Sequence, residues 1–223
     1  MENLIIKEIV VHEDCAEQQR KILNPGRYVL SSEKYKDFFI DRVNVSAIVG
    51  MNGCGKSSIV EILFRMMNNL AAVMLKDFDR PAAECMMFVP GLVADLHYVL
   101  NDVEGKLECS NNKVVLKYGQ EQFEWKLNEI VCKRTDGQGK VLNENPYQTA
   151  MAVARNFFYL IATNYSMQSY VANDYRSEHG YRWQKPGDNN EKPWKLDIIN
   201  SWINGIFHKN DGYMCPIVLN PYR

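Results

Sequence analysis

Residues 45–63 form the most informative segment of this chain: Val45-Ser-Ala-Ile-Val-Gly-Met-Asn-Gly-Cys-Gly-Lys-Ser-Ser-Ile-Val-Glu-Ile-Leu63. It begins with an apolar run rich in β-branched residues, which is typical of a buried strand. Residues 50–57 then match the phosphate-loop pattern of two glycines followed by lysine and serine. Apolar residues recur at helical spacing after the loop. The order of strand, glycine loop and helix predicts a phosphate-binding site at residues 50–58, called the phosphate loop below.

The residue types in the phosphate loop suit an anion. Its glycines allow close approach of the backbone, and successive N–H groups point inward at a helix N-terminus carrying about half a positive charge. Lys56 is expected to reach the β- and γ-phosphates, and the Ser57 hydroxyl to bind Mg²⁺. Cys54 is expected to offer only its backbone N–H, a redox-active thiol being the alternative. The predicted nucleotide-binding residues are Gly50, Asn52, Gly53, Cys54, Gly55, Lys56, Ser57 and Ser58.

The composition is that of an ordinary globular protein. Hydrophobic residues make up 46% and charged residues 24% of the 223 residues, enough to bury a sizeable core. The net charge of −1 favours no particular partner, so any nucleic-acid surface has to be a local patch. The six cysteines form no CxxC pair or zinc spacing, which favours reduced thiols and a cytoplasmic location. No signal peptide or membrane-length apolar run is recognised, so no membrane partner is expected.

The rest of the chain predicts strands on both sides of the phosphate loop. Residues 4–11 and 27–30 favour strands, and a helix is predicted from Lys56 to about Leu75, its methionines filling the core. Residues 88–132 alternate apolar and polar positions between turn signals, which predicts an antiparallel meander. The later predicted elements are a helix over 145–155, a buried strand over 156–166, an exposed loop over 173–193, an amphipathic helix over 194–207 and a strand over 215–223.

These elements predict an α/β fold class with α+β character: a strand–loop–helix core with an added antiparallel meander. The chain is interpreted as a single lobe over residues 1–223. Within that lobe, residues 1–76 hold the first strands, the phosphate loop and its helix. Residues 86–132 hold the meander, and residues 145–223 a helix and strand segment.

The loop Gly-Met-Asn-Gly-Cys-Gly-Lys-Ser-Ser at 50–58 resembles the GxNGxGKS(S/T) loop of ABC-type ATPase heads. It looks most like the non-transporter branch, which contains the SMC, RecF and double-strand-break-repair ATPases and related nucleases and phage-defence ATPases. The resemblance implies a P-loop NTPase lobe that binds ATP and Mg²⁺. It also implies hydrolysis after head-to-head dimerisation, in a process such as DNA repair or phage defence. Beyond the loop, the likeness over residues 1 to about 170 is one of element order.

The sequence departs from that family in its catalytic groups. The family implies a glutamine at the end of a buried strand, for which Gln168 is the candidate, with Asn164 as the alternative. No LSGG-type signature is found, and Leu92-Val-Ala-Asp95 lacks the second carboxylate of a Walker B strand. Phosphoryl transfer needs such groups. The chain is therefore expected to be an N-terminal lobe that lacks its C-terminal ATPase lobe and has little activity alone.

Two other classes of function remain open from the sequence. A small-molecule or nucleoside kinase would need an arginine-rich lid, for which Arg176 and Arg182 are the candidates. A nucleic-acid-binding module with a relic phosphate loop would stack bases on aromatic rings interleaved with basic residues. Those aromatic residues are Tyr165, Tyr170, Tyr175, Tyr181, Trp183 and Trp194, and the basic ones are Arg176, Arg182 and Lys185.

Overall fold

The computed structural model describes residues 4–31, 46–76, 86–129, 132–142, 145–157, 161–164, 172–185, 187, 192–206 and 217–220. Its helices are α1 (Glu17–Arg20), α2 (Lys56–Met74), α3 (Pro146–Phe157) and α4 (Ile203–Ile206), with a 3-10 helix at Ala172–Tyr175. Its strands are β1 (Leu4–Val11), β2 (Gly26–Val29), β3 (Met87–Phe88), β4 (Ala94–Leu100), β5 (Val103–Ser110), β6 (Lys113–Tyr118), β7 (Glu121–Lys126), β8 (Lys133–Thr135), β9 (Val141–Leu142), β10 (Ile161–Asn164), β11 (Gly180–Trp183), β12 (Trp194–Asp197) and β13 (Ile217–Asn220).

The largest sheet of the described residues is antiparallel throughout. Its strand order is β2-β1-β4-β5-β6-β7-β8-β9, so the meander predicted over 88–132 is confirmed and extended at both edges. Strands β12, β11 and β3 form a second antiparallel sheet, and β10 pairs in parallel with β13. The chain thus mixes helices and strands around a large antiparallel sheet, which agrees with the predicted class at that level.

One face of the large sheet is apolar because alternate residues face the core. A row of cross-strand partners runs over five strands, and all of its side chains are buried. Its members are Ile9, Leu96, Leu107, Leu116 and Phe123. Full burial of side chains of this size contributes about 1.5–3 kcal/mol each. The register of the meander is therefore fixed, since a slip by one residue would turn this row toward solvent.

Helix α2 packs on this sheet and lies at the centre of the core. It contacts β3, β4, β5 and β6. Met66, Met67 and Met74 are buried, as predicted for core-filling methionines. Two buried asparagines hold the β3 segment against the helix: Asn68 Nδ2 donates to the Met87 carbonyl at 2.7 Å, and Asn69 exchanges two hydrogen bonds of 2.8 Å with the backbone of Val89. These amides satisfy backbone groups that would otherwise be costly to bury.

The predicted strand ahead of the phosphate loop is not present in the described part of that stretch. Residues 46–50 are outside regular secondary structure, and Val49 is 90% exposed. Residue 45 lies outside the described residues. The β-branched run Ile48-Val49 therefore does not enter the core, which is filled on this side by α2 and the large sheet.

The prediction of a helix over 194–207 is wrong for most of its length. Trp194–Asp197 is a strand that pairs with β11, and of the described residues 194–206 only 203–206 are helical. Ile199 is 88% exposed whereas Trp202 is buried, so the apolar residues do not share one helical face. The Asp197 carboxylate accepts hydrogen bonds from the amides of Ile199 and Asn200, each at 3.0 Å, and this local turn ends the strand.

Other boundaries in the second half of the chain also differ from the predictions. The predicted loop 173–193 contains most of the 3-10 helix and all of β11. Strand β11 forms because it pairs with β12, which follows it in the chain, and with β3, which lies about 90 residues earlier. The predicted helix at 145–155 is confirmed and extends to Phe157, so the strand predicted from 156 begins at Ile161. The final strand is confirmed at Ile217–Asn220.

Candidate functional site

The phosphate loop leads directly into α2, as the sequence predicted. Helix α2 begins at Lys56, and its preceding residue Gly55 has a left-handed backbone with φ of 95°. Gly53 also has a positive φ of 83°. L-residues with side chains rarely adopt these values, so glycine at both positions is explained by the path of the backbone.

The N-terminus of α2 is partly exposed. Among the described residues no side chain caps the helix, and its first turn contains no acidic residue. Ser57 and Asn52 are exposed, whereas Ser58 is buried. The first N–H groups of a helix have no partner within the helix and attract anions. An anion and a hydroxyl-bound cation are therefore both compatible with this end of α2.

Lys56 folds back over the loop that precedes it. Its Nζ donates to the carbonyl oxygens of Gly50 at 2.6 Å and Met51 at 2.8 Å, and lies 3.9 Å from the Sγ of Cys54. The Cys54 amide donates to the Met51 carbonyl at 3.3 Å and closes a tight turn. The ammonium is thus held against the loop by two backbone carbonyls.

The loop is packed against the turn that follows α1. A Cβ added to Gly55 would lie 2.8 Å from Leu23 Cδ2 and 3.5 Å from Ile22 Cγ1. A Cβ added to Gly50 would lie 2.5 Å from Cys54 Sγ. At position 55 the left-handed backbone favours glycine, and a side chain at either position would displace a neighbouring side chain, Leu23 at 55 and Cys54 at 50.

Of the catalytic candidates from the sequence, only Asp95 has a side chain that the structure describes. Gln168 lies outside the described residues, and Asn164 is described only as the last residue of β10. Asp95 belongs to the polar face of the large sheet, where its Oδ2 lies 2.9 Å from Lys106 Nζ and 3.0 Å from His12 Nε2. Among the described residues, no group of three or more His, Cys, Asp or Glu side chains could hold a metal ion.

Of the residues considered for a lid or a stacking surface, some are exposed and others are buried. Arg182 is part of β11, and Arg176 is exposed just after the 3-10 helix. Tyr175 and Trp194 are buried, so neither ring can stack on an external base. Trp183 packs edge-on against Trp194, with 5.3 Å between ring centroids. Tyr165 and Tyr170 lie outside the described residues.

Sequence reasoning missed a buried ion cluster one to three turns along α2. Arg65 donates from Nε and Nη2 to the two carboxylate oxygens of Glu178 at 2.9 and 2.6 Å, and from Nη2 to Glu61 at 3.2 Å. Trp202 Nε1 donates to Glu178 at 2.7 Å. Lys21 forms an ion pair with Glu61. The spacing of Glu61 and Arg65 at i and i+4 was the only local signal of this cluster.

Charge neutralisation explains how this cluster tolerates burial. The Arg65 side chain is fully buried, and its guanidinium lies 5.3 Å from the Trp202 ring and 5.7 Å from the Tyr175 ring. Burial alone would lower the pKa of Arg65, but the hydrogen bonds and charge of Glu178, with Glu61, raise the pKa above its usual value. Arg65 therefore stays charged, and it connects α2 to Tyr175, Glu178 and Trp202.

The cysteines of the described residues should differ strongly in reactivity. Cys54 is exposed in the phosphate loop, whereas burial raises the pKa of the Cys109 thiol well above its usual range and also raises that of Cys15. Since the thiolate is the reactive form, iodoacetamide should modify Cys54 more than about tenfold faster than Cys109 in the folded protein. Peptide-resolved mass spectrometry at neutral pH measures both rates. Burial would be contradicted if Cys54 and Cys109 reacted at equal rates in the native protein and if denaturant accelerated both reactions by the same factor.

None of the described helices has both the length and the apolar character needed to cross a membrane. Comparison of the chain with models of protein families, with curated proteins and with solved structures found no match.

Proposed function

We propose that the phosphate loop binds a nucleoside triphosphate with Mg²⁺, ATP being the expected nucleotide. The single observation that carries this proposal is the start of α2 at Lys56, directly after a glycine loop of phosphate-binding sequence, with the lysine ammonium held over that loop. The glycines with positive φ and the uncapped helix N-terminus support it. The proposal depends on the loop and the helix alone, because residues 46–50 do not form the expected strand.

Each group of the loop has a defined task in this proposal. Phosphate oxygens accept hydrogen bonds from the backbone amides of Gly53, Gly55, Lys56 and Ser57, at the positive end of the helix dipole, and from the Cys54 amide once it releases the Met51 carbonyl. The Lys56 ammonium exchanges its two carbonyl acceptors for β- and γ-phosphate oxygens, which form stronger charge-assisted bonds. The exposed Ser57 hydroxyl binds Mg²⁺. Gly50, Asn52, Cys54 and Ser58 shape the loop around these contacts.

We further propose that the chain acts as the N-terminal part of an SMC/RecF-like ABC-type ATPase. Hydrolysis then requires a Mg²⁺ carboxylate and a water-positioning group that the described residues do not place at the loop. The resemblance of residues 50–58 implies that a C-terminal lobe and a head-to-head dimer supply them. Steady-state hydrolysis by this chain alone is accordingly expected to be close to background.

Equilibrium binding of ATP with Mg²⁺, measured by calorimetry, tests the proposal. Lys56→Ala removes a charged hydrogen-bond donor, which costs about 1.5–3 kcal/mol, so the affinity should fall about ten- to a hundredfold. Lys140→Ala is the matched control, because Lys140 also follows a glycine in an exposed loop but lies in the turn between β8 and β9. Its affinity should equal that of the wild type.

Two outcomes would contradict the proposal. One is the absence of measurable Mg-ATP binding by the wild-type protein, and the other is equal affinity of the wild type and Lys56→Ala. Transfer of labelled phosphate to an added small-molecule acceptor would instead indicate a kinase.

A further inference from the structure

The turn that packs on the phosphate loop has a strained backbone. Lys21 follows α1 with φ of 52° and ψ of −118°, which is unusual for a residue with a side chain. Conformations of this kind persist only where surrounding contacts hold them. The next two residues, Ile22 and Leu23, are the ones whose side chains lie against Gly55.

Bonds within the turn join Arg20 and Leu23, since the Leu23 amide donates to the Arg20 carbonyl and Arg20 Nη1 donates to the Leu23 carbonyl, each at 2.9 Å. The Lys21 side chain adds the link from this turn to α2. Its Nζ pairs with Glu61, a residue of α2 whose side chain is only 10% exposed. The same ammonium lies 4.7 Å from the centroid of the Tyr175 ring. Glu61 is itself held by Arg65, which is fixed by Glu178. The anchor of the turn is therefore a carboxylate with little freedom to move.

We propose that the Lys21–Glu61 ion pair positions the phosphate loop. The pair holds the strained turn at Lys21 in place, and the turn in turn holds Leu23 and Ile22 against Gly55. Gly55 carries the left-handed backbone that directs the loop into α2. Lys21 is thus a positioning residue, which acts on the loop through its neighbours and does not contact the nucleotide. The effect on the loop is independent of the proposed function, and only its consequence for affinity depends on nucleotide binding.

Hydrogen exchange of the nucleotide-free protein tests the effect on the loop. The Cys54 amide donates to Met51, and the Ile59 amide donates to Gly55, so both report loop order. In Lys21→Met, which removes the charge and keeps a long apolar side chain, exchange in residues 51–59 should be about five- to tenfold faster, the lower part of the range for coupled sites. Exchange in the meander, residues 94–126, should not change.

Two comparison variants separate the ion pair from other effects of Lys21. Glu104→Gln breaks the exposed ion pair between Lys7 of β1 and Glu104 of β5, neither of which belongs to the turn, and should leave loop exchange unchanged. In a Glu61→Gln background, Lys21→Met should have no further effect, because its partner is already neutral. Full additivity of the two substitutions would overturn the inference, as would wild-type loop exchange in Lys21→Met or an equal increase in exchange throughout the chain.

Affinity for Mg-ATP gives the second readout. Lys21→Met should weaken binding by about five- to tenfold, since the loop must be ordered before it can bind. Faster loop exchange with unchanged affinity would overturn the positioning role. If the wild type binds no Mg-ATP, the proposed function fails, and the exchange of residues 51–59 still decides whether the ion pair positions the loop.

Discussion

Replacing Glu178 by leucine is expected to lower the free energy of unfolding by about 3–5 kcal/mol, because the fully buried guanidinium of Arg65 loses its principal partner. The Glu178 side chain is only 2% exposed, so water cannot take its place without opening the core. Among the described residues, Arg65 would then keep one hydrogen bond, to Glu61, and none of them offers a partner to its Nη1. Denaturant unfolding at neutral pH measures the change.

The double variant Arg65→Met/Glu178→Leu distinguishes an unpaired charge from lost packing. Replacing both partners of a buried ion pair by apolar residues of similar volume is often neutral, so most of the stability should return. A double variant as unstable as the sum of the two single variants would show that the two side chains are not coupled, and would contradict an unpaired charge as the cause of the loss. The exposed pair of Glu17 with Arg20 is the control, and Glu17→Leu should change stability little.

Replacing Gly105 by valine is expected to cost about 3 kcal/mol or more, as the core is already filled at that position. A Cβ added to Gly105 would lie 2.1 Å from Cζ of Tyr98, its cross-strand partner in β4. The ring cannot easily move, because it packs at 4.7 Å on Phe157 and its hydroxyl donates to the Lys117 carbonyl at 3.2 Å. Thermal and denaturant unfolding measure the loss.

Strand propensity and packing predict opposite changes in stability for Gly105→Val. Valine favours strands and glycine weakens them, so propensity alone predicts a more stable protein. Gly187→Val serves as the control, since a Cβ added there meets no atom within 4 Å. Stability of Gly105→Val at or above that of the wild type would mean that Tyr98 does not cover Gly105.

Local patterns in the sequence were sufficient to predict the phosphate loop, helix α2 and the meander. The glycines at 53 and 55 report positive φ values directly, and strict alternation in β4 to β7 reports a sheet with one buried face. The same reasoning was wrong at 194–207. There the apolar spacing fits a helix, but pairing of Trp194 with Trp183 and of Leu196 with Tyr181 makes a strand.

The residues of the candidate site also fall into two groups, those that a local motif identifies and those that only the folded structure brings together. The residues that would touch phosphate and Mg²⁺ follow one another in the chain, so a single motif was enough to name them. The residues that support them are far apart in the chain. Arg65 and Glu178 are separated by 113 positions, and Lys21 and Glu61 by 40. No periodicity or spacing selects such partners, because the choice depends on which elements come to face each other when the core closes.

A glycine loop at the start of a helix and an antiparallel meander can be predicted from the chain, because each is specified by neighbours within a few residues. Only folding brings Glu178 to Arg65, Asn68 and Asn69 to the β3 segment, and Leu23 to Gly55. These pairings follow from burial. A polar group removed from water must be paired, and only the folded arrangement brings a partner within hydrogen-bonding distance.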